Sequence, residues 1–104
     1  MDSKPGRSPR LWPLQEPGSR VEFRRGRSFV VGADDTAVVA VNDSAAAIWD
    51  LCDGKTAVDE MVAAICEMSS LPLGQVTADV EATVKMFEQS GLVTLRHEPG
   101  TPTL

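Results

Sequence analysis

From Val21 onward the spacing of apolar positions changes period, and the changes divide the chain into elements. Residues 21–25 and 28–31 read as two short strands, with Arg25, Gly26 and Arg27 turning the chain between them. Gly26 supplies the positive φ that such a tight turn often needs. A second turn at Gly32-Ala33-Asp34-Asp35 leads into Thr36, Ala37, Val38, Val39, Ala40 and Val41, the run with the strongest strand character in the chain. Its valines fall on both faces, so one face packs on the domain's own helices and the other is partly covered or left open to a ligand.

The period then changes from two to 3.6. Asn42, Asp43 and Ser44 are good N-cap types, and a first helix over residues 45–52 carries Ala45, Ile48, Trp49 and Cys52 on one stripe, with Gly54 just past its end. Thr56 is positioned to cap a second helix, with Asp59 as the capping-box acid and Val58, Met61, Val62, Ile65 and Met68 inward. Pro72 and Gly74 separate it from a third helix over residues 75–89, which turns Val76, Val80, Val84 and Phe87 inward and stops at Gly91. Residues 92–95 make a short extended return. The expected fold is α+β: a three-stranded antiparallel sheet followed by three helices over residues 20–95.

Two ends flank this domain. Residues 1–19 hold Pro5, Pro9, Pro13 and Pro17, a spacing that repeatedly interrupts backbone pairing, so the arm is expected to be irregular and flexible. Its one apolar cluster, Leu11, Trp12 and Leu14, could dock on the domain or on a partner. Residues 96–104, with Pro99, Gly100 and Pro102, read as a flexible tail.

Composition narrows the function classes. The chain has 104 residues, with 42% hydrophobic, 24% charged and only 5% aromatic positions and no Tyr, so it holds one small, mostly aliphatic core. A core of that size leaves little surplus stability, and a partner or a second copy, giving a homodimer, would supplement it. The net charge of −5 disfavours polyanionic partners, namely nucleic acid and anionic membrane. The charge is uneven: residues 1–32 carry seven Lys and Arg against three acids, and the remainder is strongly acidic. No run approaches the roughly 20 apolar residues of a membrane span, and the N-terminus has no apolar stretch resembling a secretion signal. Cys52 and Cys66 are too few for a disulfide scaffold, which fits a reducing cytoplasm.

Chemistry-bearing patterns are sparse. The single histidine, His97, lies in the tail, with no nucleophile and base arranged around it. Cys52 and Cys66 stand on two different helices without a CxxC, a pattern of core fillers rather than of zinc ligands. There is no GxxxxGK[ST] and no GxGxxG, so no nucleotide-phosphate loop is encoded, and no cofactor is implied. Three helices beside a small sheet are also the parts of a winged-helix DNA-binding regulator, the rival reading. Here, however, the third helix shows Asp79, Glu81 and Glu88 against Lys85 alone, and would repel a duplex.

What remains is the third strand beside the third helix. An edge strand exposes free N–H and C=O groups, which proteins protect with Lys, Pro or bulges; residues 36–41 carry no Lys or Pro. Such an edge beside an amphipathic helix is what peptide-binding modules use, a ligand strand adding to the sheet while alternate side chains enter the groove. Cover by the chain's own arm, or by a second copy, explains the edge equally well. If the strand is the docking edge, Val39→Pro is expected to prevent the ladder.

Several of these segments recur together in one family. Residues 39–42 ahead of Ala45-Ala46-Ala47-Ile48-Trp49, then Leu51-Cys52-Asp53-Gly54-Lys55-Thr56, then Asp79-Val80 in the third helix and Gly91-Leu92-Val93, in this order after paired strands, make residues 20–95 resemble the PqqD family. These are small peptide chaperones, the recognition elements of pathways that modify ribosomally made peptides. The resemblance implies a winged-helix-like domain without catalytic activity. Such a domain is expected to bind the leader of a precursor peptide as an added strand and to present that peptide to a modifying enzyme, often a radical S-adenosylmethionine protein, or to the leader peptidase of lasso-peptide clusters. Carried onto this sequence, the strand partner is Thr36, Ala37, Val38, Val39, Ala40 and Val41. The helix wall is Asp79, Thr83 and Met86 beside Val80 and Phe87. The turn Gly32-Ala33-Asp34-Asp35 departs from the proline and acid usual in the family, which leaves the register of the third strand open by a residue or so. The arginine-rich hairpin and arm are expected to meet an acidic enzyme or acidic leader residues.

Overall fold

A computed structural model describes residues 10–98. In chain order its elements are β1 (Trp12–Gln15), β2 (Arg20–Arg24), β3 (Arg27–Val31), β4 (Val38–Val41), α1 (Asp43–Asp50), α2 (Val58–Met68), α3 (Leu73–Gln89) and β5 (Val93–Arg96). Strands β2, β3 and β4 form an antiparallel sheet in that order, and the three helices follow, so the fold is the expected α+β arrangement. Arg25 (φ 53°) and Gly26 (φ 78°) are both left-handed, the geometry of a type I′ turn whose twist matches the strands it joins.

The helices lie on one face of this sheet and share a core built from Val30, Val41, Ile48, Met61, Val80 and Leu92 around Trp49 and Phe87. The last two rings meet edge to face, with centroids 5.2 Å apart and planes at 70°. That geometry suits the ring quadrupoles. Helix α1 is capped by Asn42, whose side-chain oxygen accepts from Ala45 N at 2.8 Å.

Two local expectations are corrected. Helix α2 is not capped by Thr56 and Asp59, because Asp53 captures Thr56 first, accepting from its backbone N at 2.9 Å and its hydroxyl at 3.2 Å. The cap position passes to Ala57, whose N–H donates to Glu60 at 2.8 Å. Helix α1 ends at Asp50 rather than residue 52, since Cys52 and Asp53 run beside β1: Gln15 N donates to Cys52 O at 3.0 Å, and Leu14 bridges Asp53.

The larger correction concerns the N-terminal arm, where proline spacing predicts irregular chain. Trp12–Gln15 is a strand, antiparallel to β5 with Trp12 opposite Arg96 and Gln15 opposite Val93. It fits because Pro13 lacks a donor only on the side away from β5, where its carbonyl accepts from Gly54 N at 2.8 Å. Pro13 itself is fully buried. The strap continues to work at both ends, with Leu11 O accepting from Val58 N at 2.9 Å and Glu16 N donating to Leu92 O at 2.9 Å. Arg96, expected in the tail, belongs to β5. The rest of the expected flexible arm and tail, residues 1–9 and 99–104, lies outside the described residues.

Candidate functional site

Strand β4 is an edge of the three-stranded sheet, and among the described residues no strand pairs with its outer side. Its register on β3 sets Val38 opposite Val31, Val39 opposite Val30, Ala40 opposite Phe29 and Val41 opposite Ser28. The bond from Gly32 N to Ala37 O, 2.8 Å, fixes the phase of the ladder. Because hydrogen-bonded and non-hydrogen-bonded pairs alternate, Val39 and Val41 turn their backbone groups toward β3. Val38 and Ala40 turn theirs outward. Side chains alternate the other way, so Val39 and Val41 point into the helical core, while Val38 (46% exposed) and Ala40 face solvent.

This phase relocates the decisive position. The sequence points to Val39→Pro as the change that stops a docking ladder, yet the Val39 N–H belongs to the native ladder with β3; the outward donors are those of Val38 and Ala40. The strand is also shorter than expected at its start. Thr36 and Ala37 precede the strand, and Thr36 is held by Asp34, which accepts from Thr36 N at 3.1 Å and from its hydroxyl at 2.8 Å. These bonds, that from the hydroxyl first, hold the Asp34 carboxyl below its ordinary pKa.

On α3 the positions Asp79, Thr83, Met86 and Ser90 are spaced by four, three and four residues, one stripe of the helix. Asp79 is exposed, and Thr83 and Met86 are half-buried, Met86 resting on the core. Ser90, the C-cap of α3, lines a cavity of about 420 Å³ together with Gly32, Asp34, Thr36, Ala37 and Gly91. The stripe therefore reaches the turn that leads into β4. Val80 and Phe87, expected inward beside the wall, are fully buried and support it from within the core. Ser90 was not singled out in the sequence, although it continues the four-residue step from Met86.

Residues that could carry chemistry are not assembled. His97 is exposed beyond β5, and no group of three or more His, Cys, Asp or Glu among the described residues could hold a metal. Burial pushes the Cys52 thiol up to about 12, with the charges of Asp53 and Asp50 adding to the effect. The thiolate is the reactive form, so Cys52 should resist iodoacetamide in the folded protein at mildly alkaline pH and react once guanidinium unfolds it. Stability should fall as the pH rises from the ordinary thiol value toward 12, because the unfolded chain loses this proton first. Alkylation of Cys52 at equal rates in both states would contradict that burial. On α3 the side chains of Asp79, Glu81 and Glu88 are all exposed, and no described helix is long and apolar enough to cross a membrane.

Compared with known proteins, residues 27–93 match the family model described as Coenzyme PQQ synthesis protein D (PqqD). The match begins at β3 and ends as β5 starts, leaving β1 and β2 outside it. No curated protein and no solved structure matches the chain.

Proposed function

Because the chain belongs to the PqqD family, peptide-binding accessory proteins of coenzyme PQQ synthesis, we propose that it binds the leader of a ribosomally made precursor peptide as a fourth strand on β4. The observation that carries this reading is the outer edge of β4, uncharged and unpaired among the described residues, beside the α3 stripe of Asp79, Thr83 and Met86. Main-chain bonds from Val38 and Ala40 supply affinity that does not depend on leader sequence. Selectivity comes from leader side chains directed between β4 and α3. Thr36 and Ala37 then shape the end of the groove rather than pair with the ligand.

The bound leader leaves the rest of the precursor free for a separate modifying enzyme, a radical S-adenosylmethionine protein or a lasso-type leader peptidase. This protein contributes no catalytic group of its own. The unpaired thiols of Cys52 and Cys66 suit a reducing cytoplasm. Duplex DNA is not the ligand: the three exposed acids of α3 face a polyanion unfavourably.

Calorimetric titration with the leader of the precursor encoded beside this gene tests the reading. Saturable binding with a negative heat-capacity change is expected, as apolar side chains leave water. Thr83→Arg, which projects a long charged side chain into the groove, should weaken it about tenfold or more, the cost of a poorly accommodated charge. Undiminished affinity in a folded Thr83→Arg protein would remove α3 from the site.

A further inference from the structure

The sheet has a second free edge, β2, and its chemistry is unlike that of β4. Residues Arg20 to Arg27 carry four arginines and one glutamate within a chain of net charge −5. Glu22 is shared by Arg20 and Arg24, and its carboxyl is held below the ordinary range, chiefly by the Arg24 hydrogen bond. Arg20 also reaches Asp35 at 2.6 Å. Among the described residues Arg25 and Arg27 have no carboxylate partner; Arg27 lies over the Phe29 ring, 6.0 Å from its centroid.

Beside this charge stands Phe23, at 72% accessible the most exposed large apolar side chain among the described residues, with Val21 at 44%. Both project from the helix-facing side of the sheet. Phe23 borders a cavity of about 380 Å³ whose other walls include Ser28, Val41 and Asn42 at the start of α1. The two-residue turn closes on a hydrogen-bonded Arg24–Arg27 pair, so the ladder turns the backbone groups of Val21 and Phe23 outward.

We propose that the β2–β3 hairpin is a second docking surface, which receives an acidic segment of a partner protein along β2 and one apolar side chain of that segment beside Phe23. The excess of arginine selects an acidic occupant by charge complementarity. It also works against a second copy of this chain, because two hairpins each carrying three excess positive charges would lie within one Debye length, about 8–10 Å. The β2 and β4 edges are separated by two strand spacings, about 10 Å, and open in opposite directions. A partner on β2 therefore leaves β4 free, and the proposal stands independently of the leader reading.

The test uses the full isotope-labelled chain titrated with a synthetic peptide alternating glutamate and valine, and with its lysine counterpart. Amide shifts are expected at Val21, Phe23 and Arg25 with the glutamate peptide only. Affinity should drop about tenfold or more on raising the salt several-fold, and similarly in Phe23→Ser and in Arg25→Glu. Thr83→Arg, which obstructs the groove between β4 and α3 and lies away from this cavity, should leave this binding unchanged. Failure to bind, equal binding of the lysine peptide, or shifts confined to Val38 and Ala40 would overturn the proposal. So would dimerisation of the free protein that Phe23→Ser abolishes.

Discussion

Ala40→Pro should leave the domain folded and weaken leader binding about 100-fold, or ~3 kcal/mol, the upper range for stranding a buried backbone acceptor. Ala40 directs its N–H away from β3, and proline is tolerated on an edge strand where its missing donor faces out. The ring would also fill the space in which a ligand backbone must lie. Val39→Pro, one residue earlier, should do the opposite. It removes a donor from the β3–β4 ladder and places a ring against Val30, so the loss appears first as a lower melting temperature. Thermal melts alongside leader titrations separate the two. If Ala40→Pro binds leader normally while folded, β4 is not the docking strand.

Removal of residues 1–16 should lower the melting temperature by at least about 15 °C, equivalent to a loss of about 3–5 kcal/mol in a domain of this size. That truncation deletes the β1–β5 ladder and the main-chain bonds that β1 and its flanks make to Cys52, Gly54, Val58 and Leu92. It also removes Gln15, whose side-chain amide donates to Trp49 O at 2.8 Å, and uncovers the space filled by Pro13. Since small domains have only ~5–15 kcal/mol in reserve, part of the population could be unfolded at growth temperature. A truncated protein melting within a few degrees of the full chain would show the strap to be dispensable.

The order of strands and helices was legible because it rests on periodicity. Val76, Val80, Val84 and Phe87 announce the buried face of α3, and the Arg25-Gly26 turn announces the β2–β3 hairpin. Features decided by competition between nearby groups were less legible. Asp53 takes Thr56 from the α2 cap, and Asp34 holds Thr36 ahead of β4; each sequence window contains a plausible cap or strand residue without showing which acceptor holds it. The β1 strap was hidden for another reason. Proline excludes a residue from donating on one side only, and which side β5 occupies is a tertiary fact. The same holds for β4: a run of Thr, Ala and Val shows that an edge is unprotected, but only the register with β3 distinguishes Val39, committed to its own sheet, from Ala40, open to a ligand.

The family match covers β3 through the start of β5, and so includes the β4 edge and α3 but not the strap or β2. The recognition unit on this account is the matched region braced by the strap. The hairpin, half outside the match, is where this chain can differ in partner choice.

The central claim is tested most directly by amide hydrogen exchange across β4, residue by residue, with and without the precursor leader. Val39 and Val41, bonded to β3, should be protected already in the free protein. Val38 and Ala40 should exchange quickly when free and become strongly protected when the leader binds. Saturating leader that leaves the Val38 and Ala40 amides exchanging at their free rates would contradict strand addition on β4.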